Sequence, residues 1–262
     1  MPYCTRGGVS LHYVTAGEGP AFVLIHANPF DHTLFRYQIA KYSTRFRVIA
    51  VDLRGYGRSD PITTEYRFED LTEDVLAICA AEKVKEAIVL GVSVGSTMGL
   101  AMALDRPDLV KALIAVGGGA NKSDRATSRI DNYRAKGLDY HREHLESLVA
   151  PDFPKTPLGR YVIGDFLERG RALKWKGHAL ARVLEALSKA DLIARLPGLK
   201  VPTLIINGAH DHSLPRGKAT AGLIPGAGHA VLPGTGHACC IEDPAGFDDL
   251  VYEFLSGIGR LP

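Results

Sequence analysis

The sequence predicts an α/β fold: a mostly parallel sheet flanked by helices, interrupted by one helical insertion. Three observations carry this. Short apolar runs alternate with helical patterns over the first 118 residues, strand-like runs are missing from 121 to 196, and the alternation resumes at 203 and runs to the end. At 262 residues with 46% hydrophobic and 23% charged side chains, the chain can bury a large core, and disordered, collagen-like and disulfide-scaffold classes are excluded.

In chain order, strands are expected at 10–15, 21–26, 47–51, 87–90 and 113–116, with helices at about 34–41, 68–82 and 97–105. Residues 87–104 hold 18 positions without a charge, with Gly91, Gly95 and Gly99 at the spacing of a membrane dimerisation motif. The stretch is at the short limit for a span and reads better as a strand ending at Gly91, then a helix bounded by Asp105 and Pro107. After the insertion, strands are expected at 203–207 and 230–232. Helices are expected near 218–223 and at 244–256, the last opened by Pro244.

The insertion reads as short helices separated by Gly137, Pro151, Pro154, Pro157 and Gly170. It carries 15 Lys and Arg against 10 Asp and Glu, a net +5, whereas the rest of the chain is net −3. The expected organisation is a core domain of 1–120 and 197–262 with a helical cap at 121–196.

A whole-chain formal charge of +2 gives too weak a field for nucleic acid or a membrane surface to be the main partner. Cys4, Cys79, Cys239 and Cys240 have neither disulfide-framework nor zinc-ligand spacing, so a reducing, cytoplasmic setting and no metal are expected. The first residues lack the charged start and apolar stretch of a signal peptide. Neither a phosphate loop nor a dinucleotide fingerprint is present, and no cofactor is expected.

The sharpest chemical signal is Gly91-Val92-Ser93-Val94-Gly95, directly between a strand and a helix. A serine in so tight a bend is forced into a strained backbone region and lifted clear of the sheet at a helix N-terminus, where the helix dipole favours negative charge.

Here the chain resembles the α/β-hydrolase family. His26-Ala27-Asn28-Pro29 looks like its oxyanion loop, and the segment from Asp52 to Ser59 looks like its DxRGxGxS turn. Asn207-Gly208-Ala209-His210-Asp211 looks like the strand end carrying its acid, and Gly236-His237, with Glu242, Pro244 and Phe247 downstream, like the loop carrying its base. The resemblance implies a Ser93, Asp211, His237 triad and an oxyanion hole of the Asn28 and Val94 backbone NH groups. Ala27 and Ser96 stand where the family commonly has glycine.

Other readings of the same residues are bland. His26 is expected to support its loop and Asp52 to bond locally. His229 precedes its strand and is expected at the far end of the sheet. His210 and His212, on either side of Asp211, point to opposite sides of an extended strand end, so a shared ion is not expected. His141 and His144 are expected on a solvated cap face, and Cys239 and Cys240 as small buried apolar groups.

The expected activity is hydrolysis of a small ester or lactone through an acyl-enzyme, as in small esterases and the 3-oxoadipate enol-lactonase group. The cap charge favours a substrate with a carboxylate, and Tyr133, Tyr140, Tyr161, Phe166 and Trp175 are candidates for an apolar pocket. Alternatives are carbon-carbon bond hydrolysis of the meta-cleavage type, cofactor-free perhydrolysis, or a slow-turnover ligand receptor. The sequence carries no signal for oligomeric state.

Overall fold

The structure, a computed structural model, describes residues 2–62, 66–121, 125–173 and 175–262. Residues 122–124 and 174 of the expected insertion lie outside them. The strands are β1 (Tyr3–Arg6), β2 (Val9–Ala16), β3 (Ala21–Ile25), β4 (Arg47–Val51), β5 (Ala87–Val92), β6 (Val110–Val116), β7 (Thr203–Gly208) and β8 (Gly228–Leu232). They form one sheet in the order β1-β2-β4-β3-β5-β6-β7-β8. The six from β3 to β8 run parallel, while β1 and β2 pair antiparallel at one edge.

Period-two alternation divides each central strand between two cores. Val23, Ile25, Ile49 and Val89 face α2 (Phe68–Ala81) and α3 (Val94–Asp105), meeting Leu71, Val75 and Met98. Phe22, Leu24, Val48 and Leu90 face α1 (Arg36–Tyr42) and α10 (Pro244–Gly257), meeting Tyr42 and Phe247. Helices on both faces leave the carboxyl ends of the strands as the edge where loops converge.

Between β6 and β7 come α4 (Ala126–Lys136), α5 (His141–Glu146), α6 (Pro157–Ala172) and α7 (Gly177–Ser188), with no strand among the described residues. One expected break is corrected: Gly170 does not separate two helices but sits inside the 16-residue α6, where a side chain would press on the His141 ring. The helices α8 (Leu214–Leu223) and α9 (Cys239–Glu242) complete the chain. β1 carries no sequence signal, being four alternating residues at an edge. Among the described residues, no helix is long and apolar enough to cross a membrane.

Candidate active site

Ser93 follows β5 directly and precedes α3, at φ +56° and ψ −109°. A non-glycine residue at positive φ stores strain that its surroundings must hold. Here the Ser93 NH donates to Val116 O at 2.7 Å, and its carbonyl accepts from the NH groups of Ser96 and Thr97. The flanking glycines are dictated by close approach: a Cβ on Gly91 would run into the Gly95 carbonyl, and one on Gly95 into that of Ile25. Ser96, in place of a glycine, fits because Gly118 faces it without a side chain. α3 begins at Val94, three residues before its expected start, so the bend passes straight into the helix. The helix that begins there has no side-chain cap from Ser93, so its N-terminal end is open to a ligand's negative charge.

Asp211, just beyond β7, and His237, in the loop after β8, are 26 residues apart and both buried. His237 Nδ1 donates to Asp211 Oδ1 at 2.8 Å. The same carboxylate accepts from Ser213 N at 2.8 Å, Ser213 Oγ at 2.8 Å and Asn207 Nδ2 at 2.9 Å. Burial raises the Asp211 pKa. The His237 charge and these hydrogen bonds outweigh it and hold the carboxyl well below the usual range. With Nδ1 engaged by Asp211, Nε2 is the ring nitrogen left to act elsewhere. It is buried without a hydrogen-bond partner among the described residues, and His237 lines one cavity together with Ser93.

That cavity, of about 30 Å³, is completed by Thr97, Asn121, Ala126, Arg129, Leu184, Leu187, Ser188, His212 and Arg216. A larger cleft of about 360 Å³ is at the amino ends of β3 and β5, away from these groups. The aromatic pocket expected from the sequence is therefore corrected, since none of its five residues lines the Ser93 cavity. Tyr161 is 64% exposed. Phe166 packs edge-on against Phe30 at 4.7 Å, and Trp175 against Tyr56 at 5.8 Å. Tyr133 packs on Tyr140 at 5.0 Å and pairs its hydroxyl with His144 Nδ1 at 2.8 Å. Apart from the exposed Tyr161, these rings are consumed in packing.

Two histidine expectations are corrected as well. His141 and His144 are buried rather than solvated; burial brings the His141 pKa down to about 4, and its Nε2 donates to Pro29 O at 3.3 Å. His229 is within β8 and reaches the acid indirectly, donating from Nε2 to Asn207 Oδ1 at 3.1 Å.

The loop after β3 holds His26, whose Nε2 accepts from Leu53 N at 3.0 Å while Nδ1 donates to Ala27 O at 2.9 Å. Burial lowers its pKa, so the ring is a neutral brace. Asn28 donates its side-chain amide to Leu180 O in α7 at 3.1 Å. Asp31 receives both Nε and Nη2 of Arg169 in α6, at 3.1 and 2.6 Å. The helical segment is thus fastened to this loop by His141, Leu180 and Arg169.

Asp52 accepts from His12 Nδ1 at 2.7 Å, His32 Nδ1 at 2.8 Å and Arg58 N at 3.1 Å. Two groups bring three ligand-type atoms within 4.8 Å: His12, His32 and Asp52, and Asp211, His212 and His237. In each, a ring nitrogen meets a carboxylate oxygen at a proton-sharing distance. Cys239 and Cys240 are fully buried, and burial raises both thiol pKa values.

Sequence reasoning did not single out Asn207, Ser213, Arg129 or the His212 ring stacked on His237 at 4.8 Å. Asp-x-Ser was a usable signal, since Asp211 accepting from the NH two residues on is an Asx turn.

A family profile described as alpha/beta hydrolase fold matches residues 20–244. Similar proteins include the AB hydrolase superfamily protein YisY of Bacillus subtilis, 28% identical over 95% of this chain and 97% of the relative. The 3-oxoadipate enol-lactonase 2 of Acinetobacter baylyi is 27% identical over 79% of this chain and 78% of the relative. Among solved structures, the enol-lactonase from Burkholderia xenovorans LB400 matches with a TM-score of 0.90 at 28% identity. That match covers 97% of this chain and 100% of that one.

Proposed function

Because the chain belongs to the α/β-hydrolase fold family, we propose that it is a serine hydrolase of small carboxylic esters or lactones, working through an acyl-enzyme. One observation carries this reading. Ser93, in a strained bend, lines a cavity with His237, whose other ring nitrogen is held by the buried Asp211. The enol-lactonase among its relatives supports the substrate class.

In this reading Ser93 Oγ attacks the acyl carbon as its proton passes to His237 Nε2, and Asp211 stabilises the imidazolium. The backbone NH groups of Val94 and Asn28 receive the oxyanion, each donor contributing about 3 kcal/mol. Collapse expels the alcohol oxygen, or the ring oxygen of a lactone, with the proton from His237. Water then adds to the acyl carbon, giving its proton to His237, and Ser93 leaves with it as the acid is released. The chemistry needs no metal or cofactor.

Residues 121–196 serve as a cap. α4 and α7 supply Arg129, Leu184 and Leu187 to the cavity, and a space of about 30 Å³ holds little more than a water. A substrate therefore displaces these side chains on entry. The four cysteines are all unpaired, in keeping with a reducing, cytoplasmic setting.

The test is a panel of short-chain esters, lactones and ring-fission diketones run beside Ser93→Ala. Ester or lactone turnover that falls by about 10⁴-fold or more in the variant is expected. Retained turnover in Ser93→Ala, or turnover confined to the diketones, would overturn the reading.

A further inference from the structure

Arg129 in α4 is only 8% exposed and lines the cavity, yet makes no ion pair among the described residues. Its Nη2 donates to His212 Nε2 at 3.5 Å, and it also hydrogen-bonds the Tyr140 hydroxyl; neither partner is a carboxylate. Burial, His237 and Arg129 push the His212 pKa down to about 3, so that ring is uncharged. Asp211 acts on Arg129 from a distance, but its oxygens are already committed to His237, Ser213 and Asn207. No Asp or Glu is among the described residues lining the cavity, whereas Arg216 also lines it.

A guanidinium taken out of water without a counter-charge is costly. It cannot relieve that cost by losing its proton, because arginine stays charged at any working pH. A cation held in this way beside a nucleophile is a site waiting for an anion. We propose that Arg129 binds a carboxylate of the substrate, which makes the preferred substrate a half-acid: an ester or lactone whose acyl chain ends in a free carboxylate. The inference rests on the serine-hydrolase reading and narrows its substrate class. The planar fork of a single guanidinium matches a carboxylate through two parallel hydrogen bonds. His212, stacked on His237 and touching Arg129, sets that fork one ring away from the reacting groups.

Two matched substrates test this: 4-nitrophenyl hydrogen glutarate, which ends in a carboxylate, and its methyl ester, which does not. The native protein should favour the free acid in kcat/KM by about tenfold or more, and Arg129→Gln should lower that preference by about tenfold, with Arg129→Lys between them. No preference for the acid, or a ratio in Arg129→Gln within about twofold of native, would overturn the proposal. Calorimetric titration with glutarate and with dimethyl glutarate gives a readout without turnover. Native protein binding only glutarate, with the heat lost in a cooperatively melting Arg129→Gln, supports the subsite; equal binding by both proteins, or none by native protein, overturns it. If neither ester is turned over, the titration still decides the anion site, and the panel run beside Ser93→Ala separately decides the serine-hydrolase reading.

Discussion

The side-chain amide of Asn207 donates to Asp211 Oδ2 at 2.9 Å. Its other atom, Oδ1, accepts from His229, so the group that aims the carboxylate is itself aimed. Gly217 passes so close that a Cβ there would run into Asn207 Oδ1, so the amide keeps its place only because position 217 has no side chain. Asn207→Asp would set a second carboxylate beside the first in a buried site. It is expected to lower kcat/KM by about tenfold to a hundredfold and stability by about 2 kcal/mol. Steady-state kinetics and urea unfolding check both, and unchanged kinetics would refute the positioning role.

The bend at Ser93 tolerates no side chain two residues before or after it. Gly91→Ala and Gly95→Ala each drive a Cβ into a backbone carbonyl, which cannot swing away as a side chain can. Each should cost about 3 kcal/mol, seen as a lower urea midpoint with an unchanged slope. A loss below about 0.5 kcal/mol would mean the bend relaxes more easily than its geometry implies.

Arg169 is the partner that makes a fully buried Asp31 tolerable, and it joins α6 to the loop after β3. Arg169→Met would leave the carboxylate with Thr33 N and Thr33 Oγ1 alone. Since Arg169 is partly exposed, the loss is set at about 2 kcal/mol, below that of a wholly buried pair. Melting temperature measures it, and pairing the change with Asp31→Asn should recover part of the loss.

Glu242 fastens the His237 loop to the helical segment, accepting from Gly236 N at 2.8 Å and Ala150 N at 2.7 Å. Burial raises its pKa from 4.5 to about 7 despite these bonds. Between those values the folded state keeps a proton that the unfolded chain has released. The stability contributed by this group is therefore full below about pH 4.5 and lost as pH rises through about 7. Asp211, with its pKa depressed, has the opposite sign: its contribution is present above the ordinary carboxylate range and lost on strong acidification. Melting curves from pH 4 to 8 should show the Glu242 slope in native protein and a flatter profile in Glu242→Gln. Parallel profiles would exclude Glu242 as the titrating group.

The three motifs of the core were legible because their causes are local. A strand running into Gly91-Val92-Ser93-Val94-Gly95 marks a bend from its own residues, and Asp211 and His237 sit just past strand ends that parallel pairing of β7 with β8 brings side by side. The alternation of apolar runs likewise fixed which strands are buried on both faces.

The helical segment was legible only as helix. Which of its side chains face the cavity depends on how each helix is rotated, and that is set by contacts spanning more than 100 residues: Asn28 with Leu180, His141 with Pro29, Arg169 with Asp31. So Tyr133, Phe166 and Trp175 went into packing and Tyr161 to solvent, while Arg129, Leu184 and Leu187, unremarkable as letters, reached the cavity. Sequence by itself determined the central strands of the sheet and the strained serine, since backbone sterics and hydrophobic period act within a few residues. Tertiary structure alone decided what surrounds that serine, since side-chain direction across a packed interface is a property of both surfaces.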